Sequence, residues 1–341
     1  MMYSIKPATC VLATVFLVAS CAMAQSNQAH VLIYSATRGF RHDSIPTATQ
    51  ALKNAGSSIN VKFDSTEDHS QFTDANLAQY DALLFLMNTG EVLDDSGKAA
   101  LQTYLNRGGN FIAVHSASDS LNTTAFYGRE VGAYFDNHAD LQPATINVID
   151  ANHPSTSKLP ARWQTRDEWY NFKSDPRSVG AVVVLSVDES TYTDTTTKRF
   201  DQGSPHPTAW YQEHGAGVEV GGTAGRSFYT SLGHTNETWE DEIFMSHVLG
   251  GVSWVLASNT TKATNASAQV GNAASSSGAS GASGASPSSN TAASTSGASN
   301  AASSFAPFFG IMSSTPISSF GAVILATTAG AIGGLFLLSS W

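Results

Sequence analysis

The sequence predicts an α/β domain: one doubly wound, mainly parallel sheet with helices packed on both faces. Three observations carry this expectation. Short runs such as His30 to Ser35 ("HVLIYS"), Ala82 to Met87 and Phe111 to Val114 are apolar at nearly every position, as strands covered on both faces must be. These runs alternate with segments of helical period, the arrangement that right-handed strand–helix–strand crossovers produce. The loops that follow them ("ATRGFRHDS", "NTGEV", "HSASDS") are polar, and in such sheets ligands bind beyond the carboxyl ends of the strands.

Each element has its own signal. The strand at 30–35 leads into a helix over 45–54, with Asp43 or Ser44 as N-cap and Gly56 as its stop. A strand at 60–63 and a short helical connection at 72–80 follow. After the strand at 82–87, Asp94 or Asp95 opens a helix through Asn106, with Leu101, Tyr104 and Leu105 on one face. Arg107-Gly108-Gly109 ends it. The second half is less regular. Strands are expected at 144–149, 181–187, 208–212 and 226–231, the last two joined by a Gly-rich turn. A helix over 241–256 closes the domain. "GAGVEVGGTAG" (215–225) precedes a strand instead of opening a helix, so it is a loop and not a dinucleotide fingerprint.

The two ends read differently from the middle. Residues 1–24 carry one positive charge at Lys6, an apolar run at 11–19 and Ala22-Met23-Ala24, the pattern of a secretory signal peptide. Both cysteines, Cys10 and Cys21, fall inside it, so the mature domain has neither disulfide nor thiol nucleophile. The folded domain is expected at 29–257. A Ser/Ala/Gly-rich stalk at 258–305 holds too little apolar surface to offset its ordering entropy and is expected to be disordered. The hydrophobic segment 306–341, with small residues ahead of it and no basic flank, fits a glycolipid (GPI) anchor signal; the alternative is a C-terminal transmembrane helix. Sequons begin at Asn122, Asn236, Asn259 and Asn265. Together these features predict a glycoprotein at the outer cell surface. The net charge of -10 and the absence of a basic run exclude nucleic acid as a partner.

All ten histidines lie in the domain. A lone histidine at a strand end is usually a hydrogen-bonded loop cap, and His30, His69, His214 and His247 are read that way. His115 and His234 differ: each ends an apolar strand among small or polar residues, the local form of a strand-to-loop site. "DEWYNF" (167–172) sets a carboxylate pair beside Trp and Tyr, which suits hydroxyl binding and stacking on a sugar face. No close His pair or His-Glu-x-x-His motif is present, so any metal ligands must converge from separate loops. A divalent metal is left open as a cofactor. Ser116 lacks the flanking glycines of a nucleophile elbow.

In order along the chain, "GFRHDSIP" (39–46), "YDALLFLMNTGEVL" (80–93), "GGNFIAVHSASD" (108–119), "HPSTSKLP" (153–160), "DEWYNF", "HPTAWYQ" (206–212) and "GRSFYTSLGHTNETW" (225–239) resemble the ThuA-like, or trehalose-utilisation, family across 29–256. The resemblance implies a flavodoxin-like fold similar to class I glutamine amidotransferases. In those enzymes a nucleophilic cysteine occupies a tight turn after the strand matching 111–114; His115 stands there instead, so glutaminase chemistry is not expected. The resemblance further implies action on carbohydrate, through sugars oxidised to keto forms. Two readings follow. The chain is a hydrolase or lyase of such glycosides, working by histidine acid/base or metal-assisted chemistry, or it is a non-catalytic binder of saccharide or cell-wall glycan. For the first, His115, His234 and Glu168 are the catalytic candidates. Arg38, Arg41, His42, Asn88, His138, Tyr170, His206 and Trp210 are the substrate-binding ones. For the second, Trp163, Trp169, Trp210 and Tyr211 would supply stacking.

Overall fold

The structure, a computed structural model, describes residues 28–268 together with Met1 and Val270. The expected export segment beyond Met1, the stalk beyond Val270 and the hydrophobic segment 306–341 lie outside the described residues. Among the described residues, no helix is long and apolar enough to cross a membrane.

Nine strands form the main sheet: β1 (Ala29–Tyr34), β2 (Val61–Thr66), β3 (Ala82–Leu86), β4 (Asn110–Val114), β5 (Gln142–Val148), β6 (Arg162–Asp167), β7 (Val182–Val187), β8 (Pro207–Gln212) and β9 (Ser227–Thr230). Their spatial order is β2-β1-β3-β4-β9-β8-β7-β5-β6. From β2 to β9 every pairing is parallel. From β9 to β6 every pairing is antiparallel. The doubly wound parallel half is as the sequence predicts, and an antiparallel extension holds the strands of the less regular half. The strand order reverses between β1 and β3, the switch point at which open α/β sheets bind ligands.

Alternation of side chains sorts the two faces. Val31, Ile33, Leu84, Leu86, Ile112 and Val114 pack with helices α1 (Ile45–Ala55) and α4 (Glu242–Leu256). Leu32, Tyr34, Leu83, Phe85, Phe111 and Ala113 pack with α2 (Asp95–Asn106) and α3 (Ala125–Val131). Fully burying one such side chain stabilises by about 1.5–3 kcal/mol, so a strand buried on both faces has little tolerance for polar substitution. α4 sits close against the sheet because it carries Gly251: a Cβ there would come 2.4 Å from the Phe228 ring.

The helix starts show where local rules yield to the site. Asp94 caps α2 through Gly97 N–H (2.8 Å), and Asp241 caps α4 through Ile243 and Phe244 N–H (2.7 and 2.9 Å). Ser44 stands at the cap position of α1 but makes no cap bond. Its hydroxyl donates instead to the His234 carbonyl at 2.6 Å.

Three features differ from what the sequence predicts. α3 and β6 have no counterpart among the expected elements. Phe135–His138 and Tyr170–Phe172 form a separate antiparallel ribbon, with Tyr170 opposite His138. Packing also continues beyond Ala257: Thr261 is fully buried and accepts from the Asn110 amide at 3.0 Å. Lys262 N–H donates to Asp81 at 2.8 Å.

Candidate active site

The loops after β1, β4, β6 and β9 converge on one cleft. His115 is the first residue beyond β4, and its backbone is left-handed (φ 56°), a conformation uncommon outside glycine. The turn drives the imidazole across the strand ends. The Tyr229 hydroxyl, from β9, holds the turn by donating to the His115 carbonyl at 2.9 Å. His115 Nδ1 lies 2.6 Å from the Ser231 carbonyl, which can only accept, so Nδ1 carries the proton and Nε2 presents its lone pair to the cleft.

Around that lone pair stand Tyr170 Oη at 2.9 Å, His42 Nε2 at 3.1 Å, His234 Nδ1 at 3.3 Å and Glu168 Oε2 at 3.8 Å. Glu168 also lies 3.2 Å from His234 Nδ1 and 3.6 Å from His138 Nδ1. The Tyr170 ring stacks on His115 with centroids 4.7 Å apart. One ligand atom from each of His42, His115, Glu168 and His234 falls within 4.8 Å of every other.

Asp167 ties two of these loops together. It is fully buried, accepts from Glu168 N–H (2.9 Å) and Gly233 N–H (2.8 Å), and so fixes Glu168 and His234 relative to one another. Burial pushes its carboxyl up to about 7. The His42 loop is pinned separately: Thr89 Oγ1 donates to Phe40 O (2.6 Å) and Thr89 O accepts from Arg38 N–H (2.7 Å).

Burial and the neighbouring histidines push His42 down to about 4 and His115 well below the usual imidazole range. His234 is raised, first by its hydrogen bond to Glu168. Burial works to raise Glu168, but the bond from His234 and the nearby imidazoles outweigh it and the net direction is down. At neutral pH the cleft therefore pairs two neutral imidazoles with a more basic one held by a carboxylate.

Two hollows of about 150 and 170 Å³ share Phe40 and His42. The first is lined also by Ser116, Asp119, Phe135, His138, Glu168 and Tyr170, the second by His234 and the start of the 236–240 helix. Burial raises the Asp119 carboxyl.

His115, His234 and Glu168 are thus brought together, with His42, His138 and Tyr170 around them. The other candidates are not. Arg41 pairs with Glu67 on the surface (2.8 Å), and neither it nor exposed Arg38 lines the cleft. Asn88 is buried and donates to Ala36 O (3.0 Å), bracing the loop after β1. His206 lies behind Tyr170, bonded to its carbonyl (2.8 Å) and to Glu189 (2.9 Å). Trp210 is in the core and donates to Val131 O. Trp163 and Trp169 are likewise core residues, and Tyr211 stacks on His153, so these aromatics do not form the stacking surface expected of them. Phe40, 66% exposed at the mouth, and Asp119, in the lining of the first hollow, are residues the sequence does not single out. Asp167, read there as half of a carboxylate pair for binding hydroxyls, instead ties the loops together from the core. "GFRHD" contains Phe40, but nothing in the string tells an exposed ring from a buried one.

Fold and site together define a three-layer α/β protein with a histidine-rich cleft at the carboxyl ends of its strands. The chain belongs to the ThuA family, described as trehalose utilisation, whose model matches residues 30–255. It is similar to a ThuA-like protein of Bacteroides uniformis (21% identity, TM-score 0.56, covering 71% of this chain and 96% of that one). It is also similar to one of Parabacteroides merdae (18%, 0.50, covering 67% and 90%). No curated protein sequence matches the chain.

Proposed function

We propose that this chain is a carbohydrate-active enzyme, a hydrolase or lyase of small glycosides whose sugar carries a keto group, with the His115 cluster as its reactive centre. The observation that carries this is the convergence of His42, His115, His234 and Glu168, from four separate loops, in a cleft at the carboxyl ends of the strands. Membership of a family described by trehalose utilisation supports carbohydrate as the substrate class. The hollows on either side of Phe40 suit single sugar rings rather than a long glycan.

A keto group acidifies the neighbouring C–H. Cleavage then needs a base for that proton, positive charge facing the enolate oxygen and an acid for the departing glycosidic oxygen. The cluster offers groups of both kinds at hydrogen-bond reach of one point, with Tyr170, His138 and Asp119 at its edge. The residues of the mature domain include no cysteine, so a thiol acyl-enzyme plays no part. On the sequence pattern of residues 1–24 and 306–341, we place the enzyme outside the cell, held at its surface by a GPI anchor.

The test is a panel of keto-disaccharides and their unoxidised parents, followed by release of the second sugar. Turnover of the keto forms alone is expected, falling about 10²–10⁴-fold in His115→Ala. Saturable binding without turnover would favour the non-catalytic alternative, and neither binding nor turnover would sink the carbohydrate reading.

A further inference from the structure

We infer that His42, His115 and His234 hold a divalent transition-metal cation, zinc being the first candidate, with Glu168 at the fourth vertex. This deepens the reading of the cluster as a reactive centre but does not depend on the substrate being a sugar.

Crowded lone pairs point to a cation. The Ser231 carbonyl accepts from His115 Nδ1–H, which leaves one in-plane lone pair on Nε2. That lone pair accepts one good hydrogen bond, yet Tyr170 Oη, His42 Nε2 and His234 Nδ1 all stand within 3.3 Å of it. His42 repeats the pattern. Its Nδ1 lies 3.4 Å from Ser116 Oγ, the position of an outer partner, and its Nε2 faces the cluster. Buried nitrogens aimed at one another repel unless a proton or a cation lies between them. A cation resolves the conflict for all the donors at once.

The geometry fits. Tetrahedral zinc takes imidazole nitrogen and carboxylate oxygen at about 2.0–2.2 Å, so neighbouring donors should lie about 3.3–3.6 Å apart. Four of the six separations are 3.1 Å (His42–His115), 3.3 Å (His115–His234), 3.2 Å (His234–Glu168) and 3.8 Å (His115–Glu168), and all six lie within 4.8 Å, so a bound ion needs only a small rearrangement of the side chains. Three imidazoles and one carboxylate select zinc or a neighbouring first-row ion over magnesium or calcium, which want oxygen. The Ser231 carbonyl on His115 and the Ser116 hydroxyl by His42 are the outer partners that metal-binding histidines keep. Glu168 is the ligand a substrate oxygen could displace, since it also faces His138. The cation would polarise a substrate carbonyl or lower the pKa of a bound water.

The experiment needs no sugar. The full chain is purified without a chelating tag, assayed for bound metals, stripped, and titrated with Zn²⁺ against a competing chromophoric chelator. About one equivalent per chain is expected. Affinity should fall at least about 100-fold in His115→Ala and His234→Ala, about 10-fold or more in Glu168→Gln, and stay unchanged in His153→Ala, a buried histidine elsewhere. Circular dichroism shows whether each variant folds. Glu168→Gln, nearly isosteric, carries the test if His115→Ala does not fold. Co²⁺ substitution should give the intense visible bands of a tetrahedral site in the wild type and lose them in His234→Ala. No stoichiometric uptake by the wild type, or equal uptake by the folded variants, overturns the site. Either result leaves the keto-sugar assay to be judged separately.

Discussion

Two groups of histidines occupy this domain, and they have opposite chemistry. In the cleft, His42, His115 and His234 turn ring nitrogens toward one another, a carboxylate and a phenol. On the face covered by α4, His153 and His247 are as buried as His42 and His115, yet they sit among rings. His153 stacks on Tyr211 (4.5 Å, 11°) and lies against Trp254, and His247 packs by Phe228. Each bonds to Ser155 through Nδ1, and neither Nε2 has a partner among the described residues. Burial lowers both to about 4. A depressed histidine pKa therefore does not mark a site. The convergence of several donors on one point, open to a cleft, is what distinguishes the two groups.

The sharpest way to break this contrast is to truncate one member of each group. His115→Ala should cost about 10²–10⁴ in turnover, while His153→Ala, assayed on the same substrate, should change turnover by no more than a few-fold and lower the melting temperature. Equal losses would mean that both groups serve only packing.

A second test concerns Asp167, the tie between the Glu168 and His234 loops. Asp167→Ala leaves Glu168 and Gly233 N–H groups without their buried acceptor, at about 1–3 kcal/mol each. Chemical denaturation should report that loss, and His234 should drift from Glu168. Asp167→Asn keeps one acceptor oxygen and should recover part of both. Unchanged stability in the alanine variant would remove Asp167 as a positioning residue.

The smallest effect expected is in pH dependence. His153 and His247 are neutral in the fold to about pH 4, whereas the unfolded chain takes up protons near the ordinary 6.5. Both states are neutral above that value, so their contribution is intact at pH 7 and is lost as pH falls from about 6.5 toward 4. Each tenfold weakening of proton binding on folding is worth at most about 1.4 kcal/mol. Unfolding at pH 7 and pH 5 should show the difference, and His153→Phe should reduce it. A slope unaltered by that substitution would assign the pH effect to the cleft.

The parallel half was legible in the sequence because β1, β3 and β4 are apolar on both faces and the loops after them are polar. His115, His234 and Glu168 stood out for the same local reason: a polar group directly beyond an apolar strand, or a carboxylate among aromatics. What failed to show is set by pairing across the fold. Arg41 looks available in the sequence, but Glu67 claims it, and Trp210 looks like a platform, but β8 places it under α3. The 135–138 and 170–172 ribbon, which delivers Tyr170 and His138, joins segments with no common pattern. Ser44 reads as a helix cap and serves the His234 loop instead, a partner 190 residues away.

The position of β9 has one more consequence. The strand that lies between β4 and β8 is the last of the sheet to be synthesised. Until it arrives, β4, buried at every position in the finished domain, has a bare edge of unpaired amides and carbonyls on an apolar ribbon. A nascent chain must shield that edge through the whole stretch of translation from Val114 to Ser227. When β9 does slot in, it brings Ser231 and His234 to His115 in the same motion. Assembly of the cleft thus waits on β9, and a ligand held there would act as a latch on the whole sheet.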